Sequence, residues 1–255
     1  MISLTDQLRQ AILPGKIRSV QLGLIWTTVL AETKEGLRCG LSASLKNPDL
    51  ELNREPAVRH AGSLHQCSST ELAALIDSPS LTEASIGMAA TQALLPEISM
   101  PENEIHAKEV ILRFGTGKNV VVVGHFPFIE QLKPVLKNLW VLELNPIGED
   151  YPAGAAPDLI PQADLVAITG TTLMNHTIDG LLALCPAHAR VMLLGPSTPL
   201  SPVLFDLGID ILSGTLVVDP TPVLPVIAQG GSLQQLRQTG SLRFVTIDKE
   251  TYHAK

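Results

Sequence analysis

The chain has 255 residues, 45% of them hydrophobic and only 17% charged, with a mean hydropathy of +0.25, so it can bury a large core and is long enough for one domain or two. Its net charge is −7, its pI about 5.5, and its lysines and arginines form no cluster, which leaves nucleic acid without an electrostatic footprint. No segment reaches the roughly 18 uninterrupted apolar residues of a membrane span, Asp6 and Arg9 sit where a secretion signal would be apolar, and Cys39, Cys67 and Cys185 form no CxxC pair, so a cytoplasmic, reducing setting is expected.

In chain order, Ser3 to Leu13 reads as a short amphipathic helix ended by Pro14-Gly15. Ser19 to Ala31 and Leu37 to Leu45 are rich in aliphatic and β-branched residues and flank the polar ETKEG segment, which predicts a β-hairpin. Asn47 to Gln66 lacks periodicity and reads as loop. Two capping boxes follow. Ser68-x-x-Glu71 opens a helix ending near Asp77, and Ser80-x-x-Glu83 opens a longer one carrying a stripe of small apolar residues, Ile86, Ala89, Ala90, Ala93 and Leu94. Pro96 to Glu104 reads as a polar linker where the composition changes.

Beyond Lys118 strands and helices alternate. Strands are predicted at Val120–Val123, Val141–Leu144, Leu165–Thr169 and Arg190–Leu194, then at a short pair, Ile209–Leu212 and Leu216–Val218, and at Phe244–Ile247. Helices are predicted at Phe128–Lys137, Leu173–Leu184, Pro199–Asp206 and Pro220–Gln238, and Tyr151 to Gln162 as a loop with one turn. The alternation implies parallel pairing with right-handed crossovers and an α/β fold: a Rossmann-like, mostly parallel sheet with helices on both faces. The four valines at 120–123 look like a strand buried on both faces.

In such a sheet ligands collect outside the strand C-termini, and there the polar residues lie. The first strand delivers His125 and Phe126 and the second Glu143 and Asn145. The third ends in Thr169-Gly170-Thr171-Thr172, with Asn175 and His176 in the first turn of the next helix, and the fourth leads into Gly195 and Ser197. Thr171, Thr172 and Ser197 suit helix N-caps, and exposed N–H groups beside them favour an anion or an oxygen-rich ligand. His125 and His176 fall at neighbouring ends and could converge on a transition metal. His65-x-Cys67 could chelate a soft metal if that segment is extended. Glu143 lies 19 residues after Gly124, near the spacing of a ribose-binding acid, yet GxGxxG is absent and Phe126 and Phe128 crowd the turn. NAD is therefore disfavoured, and an S-adenosylmethionine-like cofactor is the alternative. HExxH, paired CxxC and GxSxG are all missing.

The segments VVVVGHFPF at 120–128, LNP at 144–146, ITGTTLMNHTID at 168–179 and LLGPSTPLSPVLFDLGID at 193–210, with SIGMAATQALL at 85–95 as a weaker match, resemble the "putative heavy-metal chelation" family of uncharacterised prokaryotic proteins. The resemblance spans nearly the whole chain. It implies an α+β domain over residues 1–100, similar to the N-terminal domain of enolases, followed by a Rossmann-like domain over 101–255. It also implies a cleft between them, with Glu83 and Ser85 nearby. The expected ligand is a metal ion, a metal chelate or another small oxygen-rich molecule, and the sparsely charged surface is compatible with a homodimer.

Overall fold

A capping box that the sequence reading overlooked starts the described chain: the Ser3 hydroxyl accepts from the Asp6 N–H at 3.1 Å, and the Asp6 carboxylate accepts from the Ser3 N–H. The computed structural model describes residues 3–47, 56–98 and 105–253. Parts of the expected loop (48–55) and linker (99–104) therefore lie outside the described residues. Helix α1 (Leu4–Gln10) is followed by strands β1 (Gly15–Leu22), β2 (Trp26–Thr33) and β3 (Gly36–Ala43). The expected hairpin is β2–β3, in register from Trp26↔Ala43 to Thr33↔Gly36. The run 19–31, expected as one strand, is instead parts of two. It reverses at Gly23, whose N–H donates to the Trp26 carbonyl, and where a Cβ would sit 2.5 Å from the Ile227 carbonyl oxygen.

Helices α2 (Ser69–Ala74) and α3 (Leu81–Leu94) cover this sheet. The box at Ser68 and Glu71 forms in full. At Ser80 only half forms: its hydroxyl accepts from the Glu83 N–H, while the buried Glu83 carboxylate turns away to accept from the backbone and guanidinium N–H groups of Arg59 and from the Ser78 hydroxyl at 2.6 Å. Burial pushes this carboxyl up, but the bonds from Arg59 and Ser78 outweigh it and hold the pKa below the ordinary 4.5. A depressed folded pKa means stability that is present above about 4.5 and lost as pH falls through the folded value. Glu83→Gln is therefore expected to cost about 2 kcal/mol at pH 7, with the gap to wild type closing in acid. Urea melts from pH 7 to pH 3 check this, and a gap that widens on acidification would contradict it.

The C-terminal part runs α4 (Ala107–Gly115), β4 (Asn119–Val123), α5 (Ile129–Leu132), β5 (Asn138–Glu143), β6 (Tyr151–Pro152), α6 (Ala156–Leu159), β7 (Leu165–Thr169), α7 (Ile178–Leu184), β8 (Arg190–Leu194), β9 (Ile211–Val217), α8 (Pro220–Ala228), α9 (Leu233–Gln238), β10 (Leu242–Asp248) and α10 (Lys249–His253). Strands β6-β5-β4-β7-β8-β9 are parallel neighbours in that order, with β10 antiparallel on β9. The hairpin sheet joins through an antiparallel pairing of Cys39 with Val217. Burial on both faces shows in the alternation. Val121, Val166 and Leu193 pack with Leu173, Ile178 and Phe205, whereas Val120, Val122, Leu165 and Met192 pack with Val110, Ile111 and Leu132.

Several expected elements differ. The short pair after residue 209 is one strand, β9. The helix from Phe128 stops at Leu132, where Pro134 withholds a ladder N–H. The helix expected from Leu173 begins only at Ile178, because His176 takes a left-handed φ of +59°. Residues 202–207 form a 3-10 turn, and the helix from Pro220 breaks at Gly230-Gly231 into α8 and α9. Helices α4 and α10 had no expectation. None of the described helices is long and apolar enough to cross a membrane.

Candidate ligand site at the strand ends

The parallel order β6-β5-β4-β7-β8-β9 is the doubly wound order in which the winding reverses between β4 and β7, and ligands bind at that reversal. There a cavity of about 420 Å³ opens, lined by Val123 and Gly124 of the first turn, Glu143 at the end of β5, and Thr169, Thr171, Thr172 and Asn175 after β7. Ala153, Pro157 and Leu181 add apolar wall. This size suits a small organic ligand. All its described lining residues fall between 123 and 184, within the C-terminal part, whereas a separate cavity lined by Arg38, Gln92, Thr198 and Thr215 lies between the two parts.

Gly124 makes the turn at φ +103°, a conformation that side chains resist, and a Cβ there would come within 3.2 Å of Thr169. The turn aims the His125 N–H at Glu143 Oε1 (2.8 Å), while the Leu144 N–H reaches Glu143 Oε2 (2.9 Å). Two backbone donors thus fix the carboxylate without neutralising it, and each oxygen keeps a lone pair. His125 Nδ1 lies 2.9 Å from Asp150 Oδ2, whose carboxylate is 5% exposed and also accepts from the Ile147 N–H. A carboxylate can only accept, so Nδ1 donates in this contact and Nε2 is the ring nitrogen left to carry a lone pair.

The remaining expected site residues disperse. Thr169, not Thr171 or Thr172, caps the 3-10 turn Gly170–Leu173, accepting from the Thr171 N–H; the Thr172 hydroxyl donates back to the Thr169 carbonyl. Gly170 lies under the turn, against the backbone of Ser197 and Thr198. Ser197 caps no helix: it is buried, and its hydroxyl accepts from the Ala43 N–H at 2.9 Å, tying β3 to the turn after β8. Asn145 is exposed and lines neither this cavity nor the one on the other face of the edge. Asn175 and His176 precede α7 instead of lying in its first turn, and His176 Nε2 donates to the Ser78 carbonyl (3.1 Å). His125 and His176 therefore make separate contacts. Phe126 and Gly195 line a different cavity. Glu83 and Ser85 brace α3: the Ser85 hydroxyl accepts from the Leu45 N–H and donates to the Leu81 carbonyl.

Nor does the His65-x-Cys67 pair assemble. The segment is a 3-10 turn, Leu64–Gln66, that places His65 and Cys67 on the walls of different cavities. Among the described residues no three histidine, cysteine, aspartate or glutamate side chains are grouped to hold a metal ion. Burial pushes the Cys39 thiol up to about 12 and, with the Asp210 charge, that of Cys185 up to about 11, so neither offers a thiolate at neutral pH. The residue that sequence reasoning missed is Asp150. It stands 25 positions from His125 in an irregular loop, where no spacing rule reaches.

A mixed α/β protein with a ligand-sized cavity at the reversal of its parallel sheet is the class that these features define. The chain belongs to the family described as "Putative heavy-metal chelation": one of its models matches residues 107–246 and a second, with the same description, residues 5–95. It is similar to a crystal structure of a DUF364-family protein of unknown function from Desulfitobacterium hafniense DCB-2, at 28% identity and TM-score 0.74, over 96% of this chain and 97% of that one. A second DUF364-family structure of unknown function, from Pyrococcus horikoshii, shares the fold at 20% identity and TM-score 0.78, with the same coverage. The uncharacterized protein MJ0500 of Methanocaldococcus jannaschii is 30% identical over 152 residues, 57% of this chain; the match spans 59% of that relative's length.

Proposed function

We propose that the protein binds a metal ion carried by a small oxygen-rich chelator, with the chelator in the cavity at the strand ends and the metal held by His125 Nε2 beside the Glu143 carboxylate. The observation that carries this reading is the Asp150–His125 contact at 2.9 Å. A carboxylate behind the far ring nitrogen is the usual support of a metal-ligating histidine, because it fixes tautomer and ring orientation. One imidazole and one carboxylate cannot close a coordination sphere of four to six ligands. A metal at this site therefore keeps other ligands, and the cavity of about 420 Å³, which Glu143 lines and which His125 adjoins through Gly124, has room for the molecule that supplies them. The hydroxyls of Thr169, Thr171 and Thr172 and the Asn175 amide are suited to that molecule's oxygens.

Calorimetry with Ni, Co, Zn, Cu and Fe, each as the free ion and as its citrate complex, tests the reading. The complex binds more tightly than the free ion if the chelator shares the site; equal affinity for both would contradict it. Asp150→Asn removes the charged acceptor behind the ring, and metal affinity is expected to fall about 10- to 100-fold with the fold retained. Unchanged affinity in that variant would show that His125 is not the ligand.

A second reading rests on the strand order. Glu143 ends the strand next to β4, where dinucleotide folds place the acid that holds a ribose diol. An S-adenosylmethionine-like cofactor would use the same two oxygens, without a glycine cradle for a pyrophosphate. A thermal-shift series with S-adenosylmethionine, NAD and nucleotides separates the two, since stabilisation by S-adenosylmethionine without metal favours the second.

A further inference from the structure

On the other face of the same sheet edge lies a second cavity, of about 430 Å³, that the chelate reading does not use. It starts from the same turn: Phe126 and Phe128, on either side of Pro127, point to this face and stack with ring centroids 5.4 Å apart and 13° between planes. Opposite, Phe244 of β10 carries the Arg237 guanidinium 4.7 Å above its ring, and the His106 ring lies 5.3 Å from it. Lys108 also lines the wall, its ammonium donating to the neutral Gln131 amide at 2.9 Å. Among the described residues neither Lys108 nor Arg237 has an acidic partner. Glu109 is the one carboxylate among the described lining residues, against two full cations and a histidine.

We propose that this cavity binds a planar aromatic anion, a ring bearing a phosphate or a carboxylate. Stacked phenyl rings offer flat apolar area to a ring and little to an aliphatic chain. The guanidinium and ammonium, without an acidic partner among the described residues, recognise the acidic group, with Arg237 held over the Phe244 ring and so pre-positioned for a planar oxyanion. Gly195, at the end of β8, keeps the floor open: only the Phe126 ring comes near its Cβ position, at 3.7 Å. Both sources of the ligand, a nucleotide and a simple aromatic acid, present this chemistry.

Saturation-transfer NMR and calorimetry on the full chain decide the matter, with AMP and 4-hydroxybenzoate as ring anions, adenosine as a ring without the anion, and ribose 5-phosphate as an anion without the ring. At least one ring anion is expected to bind, with ribose 5-phosphate and adenosine each about tenfold weaker or more, and Lys108→Ala with Arg237→Ala is expected to weaken it about tenfold. Which ring anion binds identifies the source. The pair His125→Ala and Glu143→Gln, of which Glu143 lines the other cavity and neither lines this one, is expected to leave this binding unchanged, which separates the site from the metal site. The proposal is overturned if no ring anion binds at millimolar concentration or if ribose 5-phosphate binds as well. It is equally overturned if the Lys108 and Arg237 substitutions have no effect while thermal melts show the variant folded, or if the binding is lost with His125 and Glu143.

Discussion

Gly40→Val is expected to be among the most damaging single substitutions in the N-terminal part, with a stability loss of at least about 3 kcal/mol. Gly40 lies in β3 directly beneath α3, and a Cβ there would stand 1.8 Å from the Ala89 carbonyl oxygen and 2.8 Å from the Ala93 nitrogen. These are backbone atoms, so no rotamer change relieves the overlap; the helix must lift. The small residues of α3 allow this approach, and the sequence already shows them as a stripe. Lifting α3 would also strain the Ser42 hydroxyl's bond to the Ser85 carbonyl (2.7 Å) and, through Ala43, the bond to Ser197 that reaches the ligand edge. A useful contrast is Gly180→Ala, inside α7 with nothing within 4 Å of the new Cβ, expected to gain about 0.5–1 kcal/mol. Guanidinium melts of both variants check the pair. A Gly40→Val midpoint within error of wild type would refute the packing argument.

The second large effect concerns binding. His125→Ala combined with Glu143→Gln is expected to reduce metal-chelate affinity at least about 100-fold, close to 3 kcal/mol, because it removes both protein donors. Stability is expected to drop by about 2 kcal/mol, since the lost contacts are the His125 ring's bond to Asp150 and one of the two backbone N–H bonds that Glu143 accepts, in a partly exposed turn. The two readouts together matter. Loss of binding with an intact melt assigns the effect to the site, whereas retained binding in a folded variant places the ligand elsewhere.

How much was legible in the sequence follows from the kind of physics involved. The valines at 120–123 announced a strand covered on both faces, because burial on both sides leaves no polar alternation. Ser68 and Glu71 announced a helix start, because the two orphan N–H groups they satisfy are three residues apart. Gathering Glu143, Thr169, Thr171, Thr172 and Asn175 at one edge was also within reach, since parallel winding sends every strand end the same way. Ser80 and Glu83 looked like a second box, yet a long-range partner, Arg59, captured the carboxylate. Facing direction escaped as well: from one turn Phe126 enters one cavity while Gly124 borders the other, and no spacing rule distributes residues between the two faces of a sheet edge. His176 and Ser197 read as site residues and instead tie the two parts of the chain together, through Ser78 and Ala43.

The turn Gly124-His125-Phe126-Pro127 thus replaces a glycine cradle with a histidine backed by a carboxylate, and the central claim is that this histidine holds a metal brought in by a chelator. Native mass spectrometry combined with elemental analysis of freshly purified protein tests it most directly. The account predicts one metal ion per chain together with the mass of a small organic molecule, both absent from the variant carrying His125→Ala and Glu143→Gln. Metal retained equally by that variant, or bound to the wild type with no accompanying organic mass, would contradict it.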